Sequence, residues 1–335
     1  MKKSYFRSAW LILILVFTTA KIDGQTPLGN ITNYQTANGE FIFTSNTDKV
    51  KVIFYTDNIF RIWLGVAGTF SDIGDIVVYK QPPMTSITVT PTTDYYQLES
   101  NTCVLRVYKT PLRFALYKKD NTTLVFEESG PITYGTATTQ RLKTGTQENF
   151  YGCGMQNGYF SHKGKTMKIA IDFQKWGDGA VSNPAPFYMS TAGYGAFRNT
   201  FGTGSYNFST TGIFTHNEKR FDCYYFFGPS LKEILNGYTL ITGRPFMIPR
   251  WGLEFGDADC YNKDGETTPD VITKIANIYR QKDIPGGWIL PNDGYGCGYQ
   301  KLDYTVAELS KKGFRTGLWT EKGTPNIAYE VGTAG

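Results

Sequence analysis

The stretch "GGWILPNDGYGCGY", residues 286–299, sets an apolar run, Trp288–Leu290, against a proline and then Asp293. Glycines and tyrosines follow at once. A short apolar run bounded by glycines and a proline reads as a buried strand. Its neighbours repeat the pattern. Upstream, "MIPRWGLEFGDADCY" (247–261) runs from apolar residues into Asp257 and Asp259; downstream, "FRTGLWTE" (314–321) ends in Glu321. Between these runs, "TTPDVITKIANIYRQKD" (267–283) predicts a helix, with Thr268 as cap, Pro269 in the first turn, and Val271, Ile275 and Ile278 on one face. "DYTVAELSKKG" (303–313) predicts a second helix closed by Gly313. Strand, helix, strand, helix, strand at roughly 30 residues per unit is βα repetition, which requires a parallel sheet.

The chain before Gly243 has a different character. "EFIFTSN", "KVKVIFYT", "IFRIWLGV", "SITVTP", "YYQLES", "CVLRVYK" and "LRFALYK" alternate apolar and polar residues, with turn residues such as "PTTD" and "KKDN" between them. Short strands at this spacing predict an antiparallel β-sandwich. "SLKEILNGYTLITG" (230–243) is the one helical stretch, with Ser230 as its cap. The first residues, "MKKSYFRSAW" then "LILILVFTTA" then "KIDGQTP", have the basic, apolar and polar order of a signal peptide. The expected organisation is therefore a signal peptide at 1–24, a sandwich at 25–243, and βα units at 244–335; three units do not close an eight-stranded barrel, so these form either an open parallel sheet or the first part of a barrel. An exported protein, secreted or periplasmic and free of the membrane after cleavage, is the expectation.

Composition narrows the function. Among 335 residues, 41% are apolar and 19% charged, which suits folded domains. The net charge of +5 comes without a long basic run, so no nucleic-acid partner is expected. Five cysteines at wide spacing form no disulfide framework; one bridge could form in an oxidising compartment, between partners the sequence does not name. Only His162 and His216 are present, so no zinc site, and no cofactor, is expected. His162 reads as a surface or turn residue. "YGCGMQNG" (151–158) is not a dinucleotide loop, because it lacks the GxGxxG spacing and a βαβ unit; its glycines are assigned to a loop near the sandwich face.

The carboxylates carry the chemistry. Asp257, Asp293 and Glu321 each follow a predicted parallel strand, and strand carboxyl ends line the ligand site in such folds. Trp251, Tyr261, Trp288, Tyr295, Tyr299 and Trp319 accompany them. Acids that grip hydroxyl pairs and rings that stack on apolar sugar faces suit a saccharide pocket. A turn or capping role competes for each acid taken singly; the recurrence at three strand ends favours a site.

"NFYGCGMQNG" (149–158), "NPAPFYMSTAGYGAFRNT" (183–200), "GRPFMIPRWGLEFGDADCY" (243–261) and "WILPNDGYGCGY" (288–299) resemble glycoside hydrolase family 31. The resemblance implies a mutarotase-like sandwich joined to a (β/α)8 barrel, and retaining cleavage of α-linked glucosides or galactosides, or transfer of the glycosyl group. It places the two catalytic acids on later barrel strands, so neither is assigned here. It implies a substrate-binding role for Asp293, with Asp257, Trp319 and Glu321 as further candidates and Trp176 and Asp178 at the rim. Two other functions stay open: a non-catalytic carbohydrate-binding fragment, and a mutarotase, which the scarcity of histidines disfavours.

Overall fold

In the computed structural model of the chain, the structure describes residues 24–74, 76–78, 80–171, 181–258, 267–291 and 299–318. The proposed signal peptide lies outside them, apart from Gly24. The chain divides into two compact units, the first running to Arg244 and the second starting at Pro245.

The first unit is built from antiparallel sheets of eight, six and five strands. Each alternating stretch named above is a strand: Glu40–Ser45, Asp48–Thr56, Ile59–Gly65, Thr88–Pro91, Tyr95–Glu99, Cys103–Lys109 and Leu112–Lys118. The inward residues of all three sheets meet in one core. Phe43, Phe60, Tyr194 and Tyr225 come from the eight-stranded sheet, Phe114 and Phe126 from the five-stranded one, and Tyr206, Phe208 and Phe214 from the six-stranded one. Two packed layers around one core make a sandwich.

The eight-stranded sheet is covered on its other face as well. The helix Leu231–Thr242 packs Ile234 and Ile241 against Ile53, Ile59, Phe187, Tyr224 and Phe226. Both sides of the strand Asp222–Phe227 therefore need apolar residues, which is why "DCYYFF" does not alternate. Ser230 accepts from the Glu233 amide, and Glu233 reaches back to the Ser230 amide, closing the capping box expected at this helix start.

Of the glycines of "YGCGMQNG", Gly158 sits in a bend, while Gly152 and Gly154 lie in a strand, Phe150–Gln156, and not in a loop. Its pairing with Val181–Ser190 shifts register between Gly152 and Gly154. At Gly154 (φ +80°) a side-chain carbon would come 2.1 Å from the Asn183 carbonyl oxygen. Only glycine lets the bulged strand approach that closely.

One carboxylate is sealed in this unit. Asp222 is 1% exposed. It accepts from Arg61 Nε and Nη2, both at 2.7 Å, from Asn199 Nδ2 at 3.0 Å and from Arg220 Nη1 at 3.2 Å. The Arg61 guanidinium also stacks 3.8 Å from the Trp63 ring centroid.

In the second unit, Gly256–Ala258, Trp288–Leu290 and Arg315–Thr316 form a parallel sheet with Asp257 opposite Ile289 and Ile289 opposite Thr316. Helices cover one face through Val271, Ile272, Ala276, Ile289, Leu309 and Phe314. The expected face Val271, Ile275, Ile278 is corrected in part, since Ile278 is 39% exposed. Ile272–Ala276 is π-helical before the α-helix Asn277–Gln281, and the wider turn rotates the later residues, bringing Tyr279 to the core instead. On the opposite face, Gly256 makes room for the Trp288 indole: a side-chain carbon at 256 would lie 2.0 Å from Trp288 Cε2.

Removing Arg61 leaves a buried carboxylate short of its strongest partner. Arg61→Met should lower the unfolding free energy by about 3–5 kcal/mol, and Arg61→Lys should recover only part, because an ammonium cannot bond both oxygens in a fork. Urea unfolding followed by tryptophan fluorescence measures this; an unchanged midpoint for Arg61→Met would refute the assignment.

Candidate active site

The carboxyl ends of the three parallel strands lie at Ala258, Leu290 and Thr316, and the connections 259–266 and 292–298 leave from the first two. Five of the six residues expected to bind substrate, Trp176, Asp178, Asp293, Trp319 and Glu321, lie outside the described residues. So do Asp259, Tyr261 and Tyr295.

Asp257 is described, and its carboxylate faces the helices. Tyr279 donates its phenol to Asp257 Oδ2 at 2.7 Å. Asp257 sits opposite Ile289, which is fully buried under the same helices. Side chains alternate across a strand, so Asp257 shares the helix side with Ile289, while Trp288 and Leu290 take the other face. Burial, and next the adjoining carboxylate, push the Tyr279 phenol up to about 12. The geometry gives Asp257 a framework role, joining strand to helix.

The two strand-end connections meet at their far ends. Thr268, fully buried, donates its amide at 3.2 Å and its hydroxyl at 3.0 Å to Gln300 Oε1. The Gln300 amide donates back to Thr268 Oγ1 at 3.0 Å. Thr268 was expected as a helix cap; the first turn is closed instead by Thr267, whose amide and hydroxyl bond Asp270 Oδ2 at 2.6 and 3.0 Å. Beside this junction lies a hollow of about 550 Å³ lined by Thr267, Pro269, Gln300, Lys301, Asp303 and Tyr304. The reading of the sequence missed the Thr268–Gln300 pair; its partners are 32 residues apart, and no local signal joins them.

Both histidines of the sandwich are buried. His216 is fully buried, donates from Nδ1 to the Gly202 carbonyl at 3.0 Å and accepts at Nε2 from the Tyr206 hydroxyl at 2.8 Å. Burial first, and then the charge of Arg198, lower its pKa to about 3, so it stays neutral. His162, expected at the surface, is 2% exposed, bonds the Gly152 carbonyl at 2.9 Å and stacks on Phe208. Glu128 is 1% exposed and accepts from Gln140 Nε2 at 2.6 Å and the Phe114 amide at 2.9 Å. Burial pushes it up to about 8. These groups are packed in the interior, out of reach of a sugar. Cys103, Cys153 and Cys223 are buried free thiols. No group of three His, Cys, Asp or Glu side chains that could hold a metal ion occurs among the described residues.

Residues 49–207 match the family described as the glycosyl hydrolase 31 N-terminal galactose mutarotase-like domain. The chain is 26% identical over 317 residues to Alpha-glucosidase 2 of Bacillus thermoamyloliquefaciens, covering 86% of this chain and 39% of that protein. It is 28% identical over 259 residues to 1,6-alpha-glucosyltransferase of Sporosarcina globispora, covering 74% of this chain and 19% of that one. Among solved structures it is similar to a GH31 dextranase of Flavobacterium johnsoniae complexed with isomaltotriose, with TM-score 0.77 and 23% identity over 88% of this chain and 38% of the dextranase. The chain thus spans about two fifths, or less, of these relatives' lengths. At that identity the structural likeness establishes the fold, and the antiparallel sheets are those of the mutarotase-like sandwich.

Glu128 gives this sandwich a pH signature. Its folded pKa near 8 lies above the ordinary 4.5, so the folded state holds the extra proton between these values. Its contribution is full below about pH 4.5 and falls as pH rises to about 8, by at most ~1.4 kcal/mol per pH unit. Glu128→Gln should remove this decline and be the more stable protein above pH 8. Unfolding curves from pH 5 to 9 check it; parallel profiles for both proteins would contradict it.

Proposed function

We propose, for a chain that belongs to glycoside hydrolase family 31 through its N-terminal domain, that it is the front portion of an exported, retaining α-glycosidase. One observation carries the reading. The likeness to Alpha-glucosidase 2 covers 86% of the chain, more than the first unit alone, 244 of 335 residues, can supply. It therefore runs into the parallel unit, whose three adjacent parallel strands suit the first part of a (β/α)8 barrel.

In this reading the substrate is an α-linked glucose oligosaccharide, with α-galactosides and α-xylosides as the sugars to compare. The names of the relatives support glucose: an α-glucosidase, a glucosyltransferase, and a dextranase held with isomaltotriose. The nucleophile and the acid/base, about 5–5.5 Å apart in a retaining site, are supplied by later barrel strands. Asp293, three residues after the second strand in sequence, holds sugar hydroxyls as a charged acceptor. Glu321 and Trp319 are the further sugar-binding candidates of the same unit. Asp257, bonded to Tyr279, joins its strand to a helix there. Transfer to a second sugar in place of water is the companion reading, favoured by the glucosyltransferase relative.

Expression of the complete reading frame, with nitrophenyl α-glucoside, α-galactoside and α-xyloside and isomaltotriose as substrates, tests the reading. Glucose released with retained configuration is expected, and longer oligosaccharides at high donor concentration would identify transfer. Asp293→Asn should lower kcat/KM about ten- to hundredfold, the worth of a charged hydrogen bond. Absence of turnover on every α-glycoside would sink the proposal.

A further inference from the structure

We propose that the sandwich carries a second saccharide site, a hollow built around Glu148 that holds a neutral α-glucan chain and takes no part in cleaving it. The site stands on its own geometry; only the choice of an α-glucan as ligand rests on the glycosidase reading above.

The strand Thr138–Lys143 leads into the connection 144–148, which lines two hollows of about 520 and 250 Å³. Glu148 lines both. The larger is within the size range of small-ligand sites, about 300–1,000 Å³. Leu124, 45% exposed, and Ala192 give it an apolar wall, and Thr146, Gln147 and Thr191 bring hydroxyl and amide groups.

The connection is pinned before any ligand arrives. The Glu148 amide donates to the Gly145 carbonyl at 3.1 Å, and the Gly145 amide donates to Glu148 Oε2 at 2.8 Å. Ser190 Oγ donates to Glu148 Oε1. Lys163 Nζ donates to the Thr146 carbonyl, and Thr144 Oγ1 to the Ser209 carbonyl at 2.8 Å. A site fixed in this way loses little freedom on binding. Each carboxylate oxygen keeps a lone pair to spare. Glu148 is 8% exposed, so a bond made there competes little with water. Next to it, Tyr194 is fully buried and its hydroxyl has no hydrogen-bond partner. Burial, and then the Glu148 charge, hold that phenol well above its ordinary pKa. A hydroxyl so buried is costly to leave unbonded; a ligand oxygen at Glu148, or a water it traps, satisfies it.

The charges around the hollow select the ligand. Lys143 is engaged by Glu127 Oε2 at 2.7 Å, and Lys163 by Thr146. The remaining set is one carboxylate among hydroxyls, an amide and an apolar wall. A carboxylate repels phosphorylated or sulfated chains. It accepts from the hydroxyls of a neutral sugar, while the wall packs against the C–H face of the ring.

The test is affinity electrophoresis of the complete protein, run cold in native gels with and without dextran, beside an assay on nitrophenyl α-glucoside. Dextran should retard the wild type. Glu148→Gln should weaken that binding about tenfold, the worth of a charged hydrogen bond, and Gln147→Ala should weaken it less. Gln147 is exposed, so its variant decides the matter if Glu148→Gln does not fold. Wild type that runs unretarded while active, or a Gln147→Ala protein retarded as strongly as wild type, would overturn the second site. So would a fall in kcat/KM that matches the loss of retardation, which would trace both to one cleaving pocket. Retardation of a protein inactive on every α-glycoside would remove the glycosidase reading and leave this site standing.

Discussion

A carboxylate placed inside an aromatic core must be met by donors on every side, and Asp222 imposes that condition on the sandwich. Its partners come from three places in the chain: Arg61 on one strand, Asn199 just past another, and Arg220 before its own. Arg61 lies 161 residues from Asp222 along the chain. Aromatic packing alone tolerates a good deal of sliding between sheets. The forked bond from Arg61 does not, because both oxygens must face both nitrogens. The pair therefore sets the register of neighbouring strands whose side chains, being apolar on both faces, would otherwise specify it weakly.

The second unit solves a different problem. Its strands are two or three residues long and parallel, and they gain stability from the helices on one side. A short parallel strand leaves its carboxyl end free to feed a connection, and in parallel α/β folds such connections are where ligand sites are built. Side-chain bonds brace this unit: Tyr279 ties its helix to the strand carrying Asp257, and Thr268 and Gln300 bond each other across 32 residues.

Much of this was legible in the sequence. Alternation gave the sandwich strands, and the Ser230–Glu233 spacing gave the helix start. The Trp288–Leu290 run and its neighbours gave the parallel order. What escaped had physical causes. A three-residue strand that is apolar throughout has no alternation to phase it, so nothing local says which face Asp257 takes. A π-helical turn is not written in the 3.6-residue period, so Ile278 was placed inside. "YGCGMQNG" reads as a loop because glycines usually punctuate; here Gly152 and Gly154 thin a strand that bulges against its neighbour. His162 looked like a turn residue because its flanks are polar, and its burial is decided by Phe208, which is far along the chain.

Gly256 and Trp288 share one volume, since the indole occupies the space where a methyl group on residue 256 would stand. The two positions are therefore a compensatory pair across two strands. Alanine at 256 is tolerable only alongside a smaller residue at 288, and homologues that lose the tryptophan are free to lose the glycine too. Covariation between these columns would report the strand pairing itself, independently of any ligand.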